Sequence, residues 1–554
     1  MKSRRFRLFL VSGILLITIA LCANLSFAMA DSSIISTTSG VANRQGRPDV
    51  HGNIITWKRL MDGASNWDIY YHDLSSPGTP IVTNSPGMQF NPVTNGTDVI
   101  WEDWTSGFSD IRMKNLFSGA AEAPLVTGTG NQGILSVSGN TVVYVDGSSG
   151  QNNIYARDLT NPSNVIEIVS PAAVPYDQWQ PRNNGNRVVW QDNRNGNYDI
   201  YMKDLSTPNV LERQLTTNPG DDVAPDISGD NVVWKSRHGG QYDISWMNIN
   251  DGIELPVTDD APYQESAAVS GDLAVWMDFR NDTNPDDTYY DYDIYMKDLT
   301  TDAESMLAGG PSIQAYPRVD GEKVVWEEIS TENSTYTTRI MMAQVPDTTA
   351  PVIAPVHPAN GSATGCSSPL IGASYSDNRA GIDTGRVTLT VDGQDVTSGA
   401  TITANSVSYQ PGALEDGLHT VSLTVDDLSG NSASASWQFQ TSRPTLGLSS
   451  QMSFWATYTD YLNRELSVKY RISNSSSDAD AMDPQILDSL ATAGVIMASS
   501  APINIGELPP GAQGDLIIRY LVPVTVGSFK TTLYASCLDA CGSTYYFPGP
   551  PPGL

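Results

Sequence analysis

An apolar-apolar-aromatic triplet recurs seven times between residues 55 and 326, and self-similarity at such a period constrains architecture more than any other feature of a chain. The aromatic stands at Trp57, Trp101, Tyr144, Trp190, Trp234, Trp276 and Trp326, with spacings of 44, 43, 46, 44, 42 and 50 residues. Only Thr56 breaks the first triplet. Five residues before each aromatic is a glycine without exception: Gly52, Gly96, Gly139, Gly185, Gly229, Gly271 and Gly321. Nine residues before stand Pro48, Pro92, Leu135, Pro181, Pro225, Ala267 and Pro317.

Each part has a physical meaning. The glycine lies among Asn, Asp, Ser, Thr or Glu and supplies the positive φ of a tight hairpin. The proline position is predicted to open an inner strand, the glycine to turn the chain, and the V-V-W run to form a second strand. Consecutive apolar positions suit a strand covered on both faces. A polar loop follows, clearest at residues 191–197. It leads to a third strand opening on Asp68-Ile69, Asp110-Ile111, Asn153-Ile154, Asp199-Ile200, Asp243-Ile244, Asp293-Ile294 or Arg339-Ile340. A short fourth strand reads Val82-Thr83, Val126-Thr127, Leu215-Thr216 or Val257-Thr258. Four strands in roughly 40–45 residues make one propeller blade. The seventh unit runs from Arg339-Ile340-Met341-Met342 into Pro346 without a fourth strand, whereas Ile34-Ile35-Ser36-Thr37 precedes the first unit with no blade of its own. The N-terminal segment is therefore predicted to complete the last blade and hide the free edges of the ring.

Units such as Ala224-Pro225-Asp226-Ile227-Ser228-Gly229-Asp230-Asn231-Val232-Val233-Trp234, leading to Tyr242-Asp243-Ile244, resemble TolB-type propeller repeats, in particular the variant of bacterial and archaeal cell-surface proteins. The resemblance spans residues 31–345 and implies a seven-bladed β-propeller. It departs from TolB itself in having seven units and no recognisable N-terminal α/β domain.

Beyond the linker Asp347-Thr348-Thr349-Ala350-Pro351, strand-like alternation resumes, with Val387-Thr388-Leu389-Thr390-Val391 and Trp437-Gln438-Phe439 as examples. Residues 346–442 suit a β-sandwich and are similar to bacterial Ig-like modules, whose late D-x-x-G-N turn stands at Asp427 to Asn431. Residues 443–554 resemble a second, CARDB-like sandwich, within which Met482 to Met497 is left open to a helical turn or two. The expected fold class is all-β: a seven-bladed propeller followed by two immunoglobulin-like sandwiches. Glycine (46) and proline (34) are abundant, in keeping with short strands and turns.

Residues 1–30 have the form of a signal peptide: a basic head of Lys2, Arg4, Arg5 and Arg7, an apolar run from Leu8 to Ala23, and Ala28-Met29-Ala30 before Asp31. An uncleaved anchor and a lipoprotein at Cys22 are the rival readings; Leu21 is bulky where a lipoprotein site wants a small residue. Without residues 1–30 the chain carries 27 basic against 61 acidic side chains, a balance of −34. Such a surface disfavours nucleic acid and anionic lipid as partners. In an exported chain the CxxxC pair Cys537 and Cys541 is the expected disulfide, leaving Cys366 over.

No P-loop, nucleophile elbow or HExxH motif is present. His51, His72 and His238 fall at unequal repeat positions, so a metal-binding histidine set is not expected. The repeated aspartate opening the third strand reads as a turn residue bonded to nearby backbone amides. The sixth unit carries a longer acidic loop with Asp282, Asn284, Asp286, Asp287 and Asp291, oxygen ligands of the kind calcium takes. It lacks the glycine and closing glutamate of an EF-hand, and a solvated insertion is the reading adopted; no cofactor is expected. Tyr289, Tyr290 and Tyr292 in this loop are the candidate binding residues, and no catalytic or metal-ligating residue is assigned. The expectation is a secreted, cell-surface or periplasmic non-catalytic binding or adhesion protein, meeting a protein or an extracellular glycan. The alternatives are a propeller-based polysaccharide lyase or hydrolase and a periplasmic TolB-like partner of an envelope complex.

Overall fold

The computed structural model describes residues 32–548 except 40–43, 61–65, 77–80, 83–86, 162, 170–176, 208, 239, 259–262, 283–290, 331–336 and 493. The expected signal peptide, Tyr289 and Tyr290 lie outside the described residues. The chain divides into two compact units, one formed by most of residues 32–345 and the other chiefly by residues 346–554.

The first unit consists of seven four-stranded antiparallel sheets. Six are simple meanders, such as Arg44–His51, Ile54–Leu60, Trp67–Asp73 and Ile81–Val82 in the first. First strands of the others are Gln89–Thr94, Gln132–Ser138, Gln178–Asn184, Asp222–Ser228 and Gln264–Ser270. The seventh sheet takes Ile313–Asp320, Lys323–Ser330 and Thr337–Gln344 from the end of the repeat and Ser32–Ser39 from its beginning. The N-terminal strand pairs antiparallel with Thr337–Gln344, Ser32 opposite Ala343 and Ser39 opposite Thr337, as the missing fourth strand required. First strands of successive sheets lie side by side, which is the arrangement of a propeller.

Packing between sheets comes from the second strands. Trp57, Trp101, Trp190, Trp234 and Trp276 are wholly buried, Trp326 nearly so. Val143 and Ile154 of the third sheet meet Val188, Trp190 and Tyr201 of the fourth in one apolar cluster. Val50, Ile55, Trp57 and Tyr70 of the first sheet meet Val325 and Ile340 of the seventh. A strand sandwiched this way is apolar at consecutive positions because both its faces are interior. The hairpin glycines all have φ between 54° and 85°. The proline position, however, lies inside the first strand, not at its start: Pro48 follows four residues of Arg44–His51.

In the second unit, Ile371, Leu389, Val421, Leu423, Trp437 and Phe439 form the core shared by a four-stranded and a five-stranded sheet within residues 352–441. Ile472, Ile486, Ile518, Tyr520 and Ala535 do the same for two four-stranded sheets within residues 446–547. Met482–Ala491 is a strand, so the helical option for that stretch is not realised. The one short α-helix among the described residues is Tyr458–Asn463, started by a capping box between Thr457 and Asp460.

The disulfide differs from the expected one. Cys366 is joined to Cys541, with Cα atoms 5.0 Å apart, and Cys537 is free and buried. Cys537 is an inward position of strand Thr531–Leu538, in the apolar core, whereas Cys541 lies past the strand end in the following turn. Near in sequence, the two thiols are separated by the end of the strand. Asp539, buried beside this junction, accepts from Ser367 N–H (3.0 Å) and Ser367 Oγ (2.7 Å).

Candidate functional site

One rim of the repeat unit gathers the points where first strands begin, second strands end and third strands begin; Arg44, Leu60 and Trp67 are register partners there. Five first strands are irregular at this rim. The register shifts between Gly46 and Asp49, Phe90 and Val93, Gly133 and Ser136, Trp179 and Arg182, and Val223 and Asp226. One residue per sheet takes a left-handed φ of 47–55° at this place: Arg47, Asn91, Ile134, Gln180, Ala224, Ser266 and Tyr316. Such a backbone costs about 1–3 kcal/mol for a side chain like Ile134, so its surroundings must hold it.

For four of the seven, the holding group is the residue after the aromatic of the preceding sheet. Glu102 Oε1 accepts from Ile134 N–H (2.8 Å), Gln191 Oε1 from Ala224 N–H (2.9 Å), Glu327 Oε2 from Arg47 N–H (3.3 Å), and Met277 Sδ from Tyr316 N–H (3.3 Å). A second set of ties lies two residues earlier in each strand. Gln45, Gln89, Gln132, Gln178, Asp222, Gln264 and Gln314 are all buried, from 0 to 6% exposed. Their side chains bond rim backbone or hydroxyls, as Gln132 Nε2 does to Gly130 O (2.9 Å) and Gln314 Nε2 to Ser312 O (2.6 Å). Neither set was foreseen. The glutamines carried a readable signal, because each stands twelve residues before the repeat aromatic.

Two residues past the left-handed position, four side chains from sheets on both sides of the ring feel one another: Asp49, Arg182, Asp226 and Arg318. Sheets one, four, five and seven meet this way only along the axis of the ring. Arg182 Nε is 3.9 Å from Asp226 Oδ1. Asp49 Oδ2 accepts from Thr94 N–H (2.9 Å) and Asp226 Oδ2 from Val269 N–H (3.0 Å), each in the following sheet. Burial pushes both carboxyls above their ordinary range against the pull of Arg318 and Arg182. Arg182, desolvated and repelled by Arg318, is held down to about 10. Two acids and two bases leave the axis formally neutral.

Around it the rim pairs cations with aromatic faces. Lys58 Nζ is 4.7 Å from the Trp67 ring and 5.1 Å from Phe90. Lys235 Nζ is 4.3 Å from Tyr242 and 5.2 Å from Tyr263, and bonds Tyr263 Oη and Glu265 Oε1, each at 3.2 Å. Arg47 stacks 3.6 Å above Tyr316. Tyr292, the described member of the three candidate tyrosines, packs 3.9 Å from Phe279, which touches Tyr263 and through it Tyr242. It therefore belongs to the rim's aromatic row. In the loops of the second sheet, Met88, Trp104 and Phe108 are 40–47% exposed.

The remaining candidates divide by location. Asp199 and Asp293, opening third strands, are buried and accept from the side-chain amides Gln214 Nε2 (2.9 Å) and Asn281 Nδ2 (2.6 Å). Of the acidic loop, Asp282 and Asp291 are described, whereas Asn284, Asp286 and Asp287 fall outside. Among the described residues one group of three ligand-type side chains converges within 4.8 Å, Asp347, Asp377 and Asp427 of the second unit. Its oxygens cap turns: Asp347 accepts from Thr349 and Ala380, Asp377 from Arg379 and Gly381, Asp427 from Asn431. His419 bridges Asp392 (2.7 Å) and the buried Thr441 (2.9 Å), a chain of bonds that ties neighbouring strands.

No family model and no curated protein matches the chain. Solved structures similar to it include a TolB of Agrobacterium tumefaciens (15% identity over 39% of this chain and 81% of that one, TM-score 0.32). Others are the β-propeller domain of the Trilobed protease of Pyrococcus furiosus (12%, 52% and 91%, 0.40) and an oligogalacturonate lyase in complex with manganese (10%, 58% and 99%, 0.40).

Proposed function

We propose that this is an exported, non-catalytic binding protein whose seven sheets act as the blades of a closed seven-bladed propeller. Its rim is the binding face, and two immunoglobulin-like sandwiches serve as spacer or adhesive modules. The observation that carries this reading is the repeated pair of ties beneath the rim. Left-handed residues are held by the neighbouring blade and glutamines are buried under them, so the bearing surface is fixed before any ligand arrives. A preorganised face loses little freedom on binding. The neutral cross of Asp49, Arg182, Asp226 and Arg318 supplies paired donors and acceptors without a strongly attacking group. Cations set on aromatic faces suit polar ligands that also carry C–H surface.

The test is an array of glycans and peptides probed with residues 31–554. Binding that is lost in Trp104→Ala and Arg182→Ala and retained in Asn186→Ala, on the opposite hairpins, is the expected result. Turnover of a polysaccharide by the purified protein would replace this reading with the lyase or hydrolase alternative.

A further inference from the structure

Blades one and five carry a lysine at the same place, directly after the repeat tryptophan, and the two are treated differently. Lys235 is satisfied by Tyr263 Oη and Glu265 Oε1. Lys58 has, among the described residues, two aromatic rings and no hydrogen-bond or ion-pair partner. The carboxylates whose charge reaches it, Glu327 and Glu102, are engaged by Arg47 N–H and by Ile134 N–H with Asn91 Nδ2. Arg47 beside it is exposed, and its guanidinium lies flat on Tyr316 with no acid within ion-pair distance among the described residues. Glu327 and Glu102 act on this corner from beyond ion-pair distance, so two neighbouring cations without an ion-pair partner among the described residues leave direct contacts open to an anion at the mouth of a propeller.

We infer that this corner of the rim receives the carboxylate of an acidic sugar, with Lys58 and Arg47 as its cations and the exposed aromatic patch of blade two as the stacking face. This rests on the reading of the rim as the binding face and names its ligand class. The patch is on the same edge: Trp104 N–H donates to Met88 O (2.9 Å), two residues from Phe90, the ring that flanks Lys58. Trp104, 40% exposed on this edge, offers a stacking face to the C–H side of a pyranose whose carboxylate Lys58 and Arg47 neutralise. The acidic remainder of the surface repels a polyanion, so the ligand is a glycan with an isolated or terminal uronate and not a continuous polyuronate.

Titration calorimetry with a glucuronate-terminated disaccharide, its glucose-terminated counterpart and a Glu-containing peptide tests this. The acidic disaccharide is expected to bind at least about tenfold more tightly than the neutral one, the effect of one charge-assisted contact. Lys58→Met and Arg47→Gln each abolish that preference with unchanged melting temperature, and Lys235→Met retains it. Equal affinity for the acidic and neutral sugars, measured on the unaltered protein, overturns the inference whatever the variants do. A peptide that binds as tightly as the sugar overturns the sugar assignment. If array ligands bind at the rim but are indifferent to Lys58→Met, this inference falls and the binding-face reading stands; ligands lost in neither Trp104→Ala nor Arg182→Ala remove both.

Discussion

Replacing Gln45 with alanine probes the joint between the two ends of the propeller. The side chain is 1% exposed and spans three strands. Its Nε2 donates to Ser36 O (2.8 Å) in the N-terminal strand and to Thr338 O (3.1 Å) in the last, and its Oε1 accepts from Ser36 Oγ (2.9 Å). Alanine removes all three bonds and leaves a hole among buried acceptors. At about 0.5–1.5 kcal/mol per bond plus a small cavity, the loss is about 2–5 kcal/mol. At about 2–4 °C per kcal/mol for a structure approaching this size, the melting temperature falls by roughly 4–20 °C. Hydrogen exchange locates the effect: amides of Ser32–Ser39 should exchange at least about tenfold faster, since 1.4 kcal/mol corresponds to a factor of ten. Gln89→Ala is the control, because that amide donates to Gly87 O and Asp103 within the second sheet. It should lower stability and leave Ser32–Ser39 as protected as before. A melting temperature lowered by less than about 2 °C in Gln45→Ala, or identical exchange of Ser32–Ser39 in both variants, refutes the reasoning.

Asp278 is fully buried and accepts from Trp276 Nε1 (2.9 Å) and Arg280 Nη2 (2.7 Å). Asp278→Ala strands both donors and should cost about 3–5 kcal/mol in urea unfolding; a loss under 1 kcal/mol would contradict the assignment. Cys541→Ser removes a cross-link between residues 175 apart and should destabilise the second unit by about 4–5 kcal/mol. Cys537, whose thiol burial pushes up to about 12, should ignore a thiol reagent until the protein is denatured. Burial raises the Asp68 carboxyl to about 6, with Glu122 adding to the effect. A raised acid is protonated first in the folded state, so its charged form weakens the fold as pH climbs from about 4 through 6. Asp68→Asn should therefore melt higher than the parent at pH 7.5 and together with it at pH 4; an equal gain at both values would refute the shift.

The parts of the propeller legible in the sequence are those written by backbone chemistry. Only glycine takes the hairpin φ cheaply, so Gly52 and its six counterparts announced the turns. Burial on both faces made the second strands continuously apolar, so Trp57 and its counterparts announced the blades. The rim was illegible for the opposite reason. Arg47, Asn91, Ile134, Gln180, Ala224, Ser266 and Tyr316 share no chemistry that favours a left-handed backbone; in four of them an N–H donated to another sheet, as from Ile134 to Glu102, holds it. Tertiary ties of this kind have no local signature. The Gln45–Gln314 series was visible as a regular spacing, but glutamine carries no strand propensity to draw notice. The disulfide misled because sequence proximity says nothing about which face of a strand a thiol occupies: Cys537 points into the core and Cys541 does not.

Pairing of Ser32–Ser39 with Thr337–Gln344 has a consequence for how the molecule comes into being. A ribosome or a translocation channel delivers the chain from its beginning, and about three hundred residues must emerge before the first strand meets its mate. Throughout that interval the leading segment has nowhere to dock, while the intermediate sheets already stack beside it with one flank bare. Such a nascent species is sticky and slow to mature, as long-range pairings generally are. A holding factor that occupies the bare flank during biogenesis would therefore raise the yield of this protein more than one acting on its completed form.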